Sequence, residues 1–170
     1  MAEQEVIVEE AQLSDVKTLV DLLSQVSQET DFVVAETILS QEDMEIFLAR
    51  HLESVNEICL VVRVGKKLAG VLNVSSTSSP QTNHIGDIFI AVQEKYWGYG
   101  LGSLLMEVAL DWACHTPVIR RLELIVQARN SRAVHLYEKF DFKIEATKER
   151  GAKTKDGEFL DVYLMSRLID

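Results

Sequence analysis

Apolar positions recur in two rhythms along this chain. Val16, Leu19, Val20, Leu22, Leu23 and Val26 are spaced three and four apart, which predicts a helix with Ser14 at its N-cap. Met44, Phe47, Leu48 and Leu52 repeat that spacing behind Ser40, which predicts a second helix. Leu104, Leu105, Val108, Leu110 and Trp112 mark a third, which must stop before Pro117 because proline disfavours helix in the preceding residue. Ser131 to Phe140 forms a short fourth. The other rhythm belongs to strands: Val6 to Val8, Ile58 to Val64, Leu68 to Val74, His84 to Val92 with Gly86 interrupting it, Leu122 to Val126, Lys143 to Arg150, and Phe159 to Leu168. Turns fall at Gly65, Lys66 and Lys67 and again at Asp156 and Gly157. Helices and strands in this order predict a mixed sheet with helices on its faces. With no repeat or linker, residues 1–170 read as one domain.

Composition narrows the class. Hydrophobic residues make up 47% and charged residues 26%, with two prolines, so the chain is neither disordered nor collagen-like. No stretch approaches the about 20 apolar residues of a membrane span. The start, MAEQEVIVEE, has acids where a targeting peptide carries bases, so the expected compartment is cytoplasmic. Cys59 and Cys114 lack metal-ligand spacing; both are expected to be buried, reduced thiols, and no metal is expected. Residues 1–92 hold 5 Lys and Arg against 15 Asp and Glu, whereas residues 93–170 hold 12 against 12. The whole net charge of −10 therefore lies in the first part, which suits a cationic acceptor such as an amine and argues against nucleic acid, although solvated helix faces would explain most of the acids equally well.

The sharpest local feature is the turn WGYGLGS, from Trp97 to Ser103, after a strand and at the head of a helix. Gly98, Gly100 and Gly102 let a ligand approach the backbone, and free N–H groups at a helix N-terminus form an anion site suited to a diphosphate. Ser103 can add a hydroxyl. A Walker loop needs a Gly-Lys-Ser/Thr ending, and no lysine stands here. A dinucleotide fingerprint needs a third glycine where Ser103 stands and begins directly after its strand, not after the intervening Gln93 to Trp97. Glu123 lies where a ribose-binding acid would, but the spacing faults disfavour that class.

Together with a second segment, this turn resembles the GNAT superfamily of acetyltransferases. The family's Arg/Gln-x-x-Gly-x-Gly/Ala pattern falls on Trp97, Gly100 and Gly102, with Trp97 in place of Arg or Gln. Downstream, Leu124, Val126, Asn130, Ala133, Leu136, Tyr137, Lys139 and Phe142 are similar to its LxVxxxNxxAxxLYxKxGF segment, Asp141 replacing a glycine. The tail DGEFLDVYLM, from Asp156 to Met165, resembles the subgroup that acetylates protein N-termini and small amines. The resemblance implies an α/β (α+β) domain with a twisted, mostly antiparallel mixed sheet of about seven strands and about four helices. It also implies acetyl-CoA as co-substrate, a primary amine (a peptide N-terminus or a small amine) as acceptor, direct attack in a ternary complex, and a possible homodimer. A CoA-binding sensor without turnover is the alternative, motivated by Trp97 and by a missing family glutamate.

Residue by residue, the resemblance implies that the backbone of Ile90, Ala91 and Val92 holds the pantetheine arm. Gly98, Tyr99, Gly100, Leu101, Gly102 and Ser103 cradle the diphosphate. Asn130 caps its helix, binds the cofactor, or does both. Tyr137 is the candidate general acid; a free phenol near pKa ~10 is a weaker acid than a thiol near ~8.5, so it assists without being indispensable. The base is less defined. The glutamate that some members place five residues before the asparagine is Ile125 here. Glu123, on the same strand face, and His84 are the candidates, with Asp87 and Glu36 behind them.

Overall fold

The computed structural model describes residues 4–32 and 39–170. Its elements are β1 (Val6–Glu10), α1 (Val16–Glu29), α2 (Gln41–Glu53), β2 (Ile58–Val64), β3 (Lys67–Ser75), β4 (Ile85–Val92), α3 (Leu101–His115), β5 (Arg121–Gln127), α4 (Ser131–Lys139), β6 (Lys143–Lys153) and β7 (Phe159–Leu168). The seven strands form one sheet in the order β1-β2-β3-β4-β5-β7-β6. Every neighbouring pair is antiparallel except β4 and β5, which run parallel.

Alternation along the strands divides the core in two. Leu60, Val62, Leu72, Val74, Leu122 and Leu124 pack on the face beneath α3 and α4, with Leu105, Met106 and Ala109 above them. Cys59, Val61, Val71 and Ala91 point the other way and meet Leu19, Leu22, Leu23 and Val26 of α1 and Met44 and Leu48 of α2. Gly86 marks the closest packing at the centre: a Cβ there would stand 2.5 Å from Val74 Cγ1 and 2.9 Å from Leu122 Cδ2.

Some local expectations change. Ser40 caps α2 as its sequence predicts, accepting the Asp43 N–H at 3.1 Å. Ser14 does not cap α1; it lies inside a 3-10 turn, Leu13–Asp15. Asp15 takes the N-cap position of α1 without a side-chain cap bond; its carboxylate instead closes the 3-10 turn by accepting the Gln12 N–H at 2.9 Å and is fixed by Arg63 Nη2 of β2 at 2.8 Å. Of the two thiols, Cys59 is buried but Cys114 is exposed, contrary to the expectation for it, because it lies on the outer side of α3.

The feature that positions the site is the short pairing of β4 with β5. Only Ile85–Arg121, Gly86–Leu122 and Asp87–Glu123 are opposed. Beyond them β4 stays on β3 as far as Val92, and β5 stays on β7 as far as Gln127. The two parallel strands thus diverge, leaving backbone edges without a strand partner on both sides of a V.

Candidate active site

A groove of about 940 Å³ runs through this V, a volume at the upper end for small-molecule sites. Its walls are Ile88 to Val92 of β4 and Ile125 to Gln127 of β5. One end opens at the glycine turn and α4, the other at Val26 in the last turn of α1 and at Thr30 and Phe32 beyond it.

At the first end, Gly98 and Gly100 have φ of 86° and 78°, the left-handed region that an L side chain rarely enters. A Cβ on Gly100 would meet nothing within 4 Å. The first bond of α3 runs from the Leu104 N–H to the Gly100 carbonyl, and no N–H from Gly98 to Ser103 has a backbone acceptor. Six donors are left at the positive end of a 15-residue helix. Cations from α4 surround them: the Arg132 guanidinium lies over the Trp97 ring at 5.2 Å, and Lys139 Nζ reaches Ser103 Oγ at 3.3 Å. This arrangement fits a diphosphate. Trp97, where an Arg or Gln was expected, donates its indole N–H to the Val92 carbonyl at 2.8 Å and so ties the turn to the end of β4.

Of the residues singled out from sequence, Ile90, Ala91, Val92, Gly98, Gly100, Leu101, Gly102, Ser103, Asn130 and Tyr137 line the groove. Tyr99 does not: its side chain points to solvent and the residue is 71% exposed. Asn130 accepts the Ala133 N–H and caps α4, leaving its amide nitrogen for a ligand. Tyr137 is buried, and burial alone pushes its phenol well above the usual range.

The base candidates separate. His84 stands before β4, at the paired end of the V, where its carbonyl accepts the N–H groups of Arg120 and Arg121; it does not line the groove. Glu123 is likewise outside the lining and is bound by Arg121 Nε at 2.9 Å. Arg121 also grips Glu145 at 2.7 and 2.8 Å, which holds that carboxyl at about 2, and Ser166 completes the cluster. Asp87, opposite Glu123 in the last rung before the opening, forms no ion pair among the described residues. Asp87 also lies outside the groove's lining and its residue surface is largely exposed; partial desolvation of its carboxyl first, and the Glu123 carboxylate second, push it up to about 6. Glu36 lies outside the described residues. Cys59 is pushed up to about 12, chiefly by burial, and is a poor nucleophile.

Sequence reasoning passed over Arg132, Lys139, Gln127 and Arg129 as site residues. Arg132 and Lys139 were within reach, since a helix capped at Asn130 and packed beside the glycine turn must present its first and last turns to that turn. Gln127 and Arg129 gain meaning only through Asp31 and Phe32, which are distant in sequence.

A sheet split at one parallel pair, with an anion cradle at the head of the next helix, is the arrangement that the resemblance to CoA-dependent acetyltransferases implies. The chain belongs to the Acetyltransferase (GNAT) family, whose sequence model matches residues 23–142. A GNAT-family acetyltransferase from Streptococcus pneumoniae is 45% identical and superposes with a TM-score of 0.93, over 97% of this chain and all of that one. The yncA structure from Salmonella typhimurium, solved with its cofactor acetyl-CoA, shares the fold at TM-score 0.85 and 17% identity, over 97% and 94% of the two chains. L-amino acid N-acetyltransferase AaaT of Escherichia coli (strain K12) is 29% identical over 109 residues, 64% of this chain and 67% of the relative. The protein is an acetyl-CoA-dependent N-acetyltransferase with an amine as acceptor. The fold is the expected one, with seven strands and, among the described residues, four α-helices. No described helix is long and apolar enough to cross a membrane.

Proposed function

We propose that the chain acts as one domain that acetylates a primary amine by direct attack within a ternary complex, using Asp87 as proton acceptor and Tyr137 as hydrogen-bond donor to the leaving sulfur. The observation that carries this is the opening of the β4–β5 pair just past the Asp87–Glu123 rung. Along Ile90, Ala91 and Val92 it leaves the backbone groups that face β5, apart from the Val92 carbonyl held by Trp97, free to hold the pantetheine arm and to aim an N–H at the thioester carbonyl, typically worth about 3 kcal/mol to the transition state. The turn at Gly98 to Ser103, with Asn130, Arg132 and Lys139, takes the phosphates. The amine nitrogen bonds to the carbonyl carbon, the carbon–sulfur bond breaks, and the amine's proton leaves through water to Asp87. Ile90 is about 10 Å along the strand from Asp87, which requires that relay. Glu123 serves as a positioning residue that raises Asp87, and its pairing with Arg121 removes it as the base. His84 lies three residues farther from the opening than Asp87, and no step is assigned to it.

A cytoplasmic location, where acetyl-CoA is available, and a homodimer belong to the same reading. The edge strand β6, with its exposed Ile144, supports the dimer. Thiol release from acetyl-CoA with a panel of amines tests the transfer. A trapped acetyl-cysteine at Cys59 or Cys114 on the productive path would refute direct attack.

A further inference from the structure

The groove carries charge of one sign. Among the described residues that line it there is no aspartate or glutamate, while Arg129, Arg132 and Lys139 all do. Arg132 and Lys139 belong to the glycine-turn end, through Trp97 and Ser103. Arg129 is exposed and precedes the Asn130 cap by one residue, but its guanidinium meets Gln127 and Phe32 and, among the described residues, makes no hydrogen bond to the glycine turn.

Its placement is built. Arg129 Nε donates to Gln127 Oε1 at 2.9 Å, and the guanidinium lies over the Phe32 ring at 5.5 Å. Gln127 is itself 8% exposed and locked by donating to the Asp31 carbonyl at 2.9 Å. Both terminal amino groups of Arg129 are left without a hydrogen bond or ion pair among the described residues. A planar fork, oriented by two contacts and with its terminal N–H groups free, matches a carboxylate in two-point geometry. Val26, Phe32, Phe89, Ile125 and Val162 add apolar surface to the same groove, with Phe32 directly against the guanidinium.

We propose that Arg129 binds a carboxylate of the acceptor, so that the substrate class is an α-amino acid with an apolar side chain. The carboxylate sits on Arg129, the side chain on Phe32 and Ile125, and the amine points into the V toward Ile90. A polyamine would bring a second cation to Arg129 and is opposed by like charge. A peptide N-terminus presents a neutral amide where the carboxylate is required. This inference rests on the acetyl-transfer function proposed for the same groove.

The test compares acetylation rates for L-leucine, L-methionine and L-phenylalanine with those for their amides and for spermidine, using the full chain and acetyl-CoA. A charge-assisted pair of bonds predicts that the acids exceed the amides about 10- to 100-fold in kcat/KM. Arg129→Gln collapses that ratio to within about threefold of one, and Arg129→Lys restores part of it. Amides or spermidine turned over as well as the acids overturn the inference, and this comparison needs only the wild-type protein. Equal losses on acids and amides in Arg129→Gln overturn it too, since they leave Arg129 as packing for Phe32. If acetyl-CoA binds and amines without a carboxylate are preferred, the inference fails while the transferase stands. If acetyl-CoA does not bind and no amine reacts, both fail.

Discussion

Replacing Gly100 by Asn and, separately, by Asp tests whether the turn before α3 holds a diphosphate. The residue has φ of 78°, and a Cβ there meets nothing within 4 Å, so side-chain size is not what the site resists. Both replacements incur the same left-handed backbone cost, at most about 1–2 kcal/mol and less for these two residue types. They share a shape and differ in one charge. A carboxylate about 5 Å from the nearer phosphate, at an effective dielectric near 20 and with some solvent screening, disfavours binding by about 2–3 kcal/mol. Calorimetric titration with CoA is therefore expected to give an affinity about 30- to 150-fold weaker for Asp than for Asn. Pantetheine, which has no diphosphate, should bind the two variants alike. The gap should also narrow at 1 M salt, where the Debye length falls to about 3 Å. If the Asp variant melts like the Asn variant yet binds CoA within about threefold of it, the cradle assignment is wrong.

Three other outcomes follow from the site. Activity should rise with pH through about 6, because Asp87 accepts a proton only when ionised; Asp87→Asn removes that limb, and Glu123→Gln moves it to lower pH by removing a like charge. Tyr137→Phe should lower kcat about 10- to 100-fold while CoA affinity changes little, since a phenol raised by burial keeps its proton and acts as a hydrogen-bond donor; a loss in affinity with kcat intact would make it a packing residue. Asp141 occupies φ of 65° just past α4, where the family has glycine, so Asp141→Gly should raise the chemical-denaturation stability by about 0.5–1 kcal/mol; no gain would mean that the aspartate side chain offsets its backbone cost.

Elements held by local chemistry were legible from the sequence, and those held by distant partners were not. Ser40 and Asp43 lie within one turn, so the start of α2 could be read directly. Ser14 is drawn into a 3-10 turn that the Asp15 carboxylate closes, and that carboxylate is fixed by Arg63, 48 residues away. The stripe read on α3 was weighted toward large side chains, yet Leu104 and Val108 are exposed while Ala109 and Ala113 face the sheet. Small residues let the helix approach closely, which hydrophobicity alone does not reveal. The V could be expected only from resemblance, since it depends on where a parallel pairing between segments some 30 residues apart stops.

Charge shows why the acceptor was hardest to read. The acids of the first 92 residues suggested a cationic substrate, but the fold disposes of them elsewhere. Glu9 and Asp15 pair with Arg63, Glu57 with Arg50, and Asp31 with Lys155. Glu42, Asp43, Glu45 and Glu53 lie on the exposed side of α2. Net charge sets long-range attraction, whereas discrimination is set by the few groups that a ligand desolvates. In the described groove those groups are cations, at one end beside the glycine turn and at the other on Arg129. An amine entering an acidic protein is therefore met at this site by positive charge, and an acceptor carrying its own carboxylate is the kind that such a mouth retains.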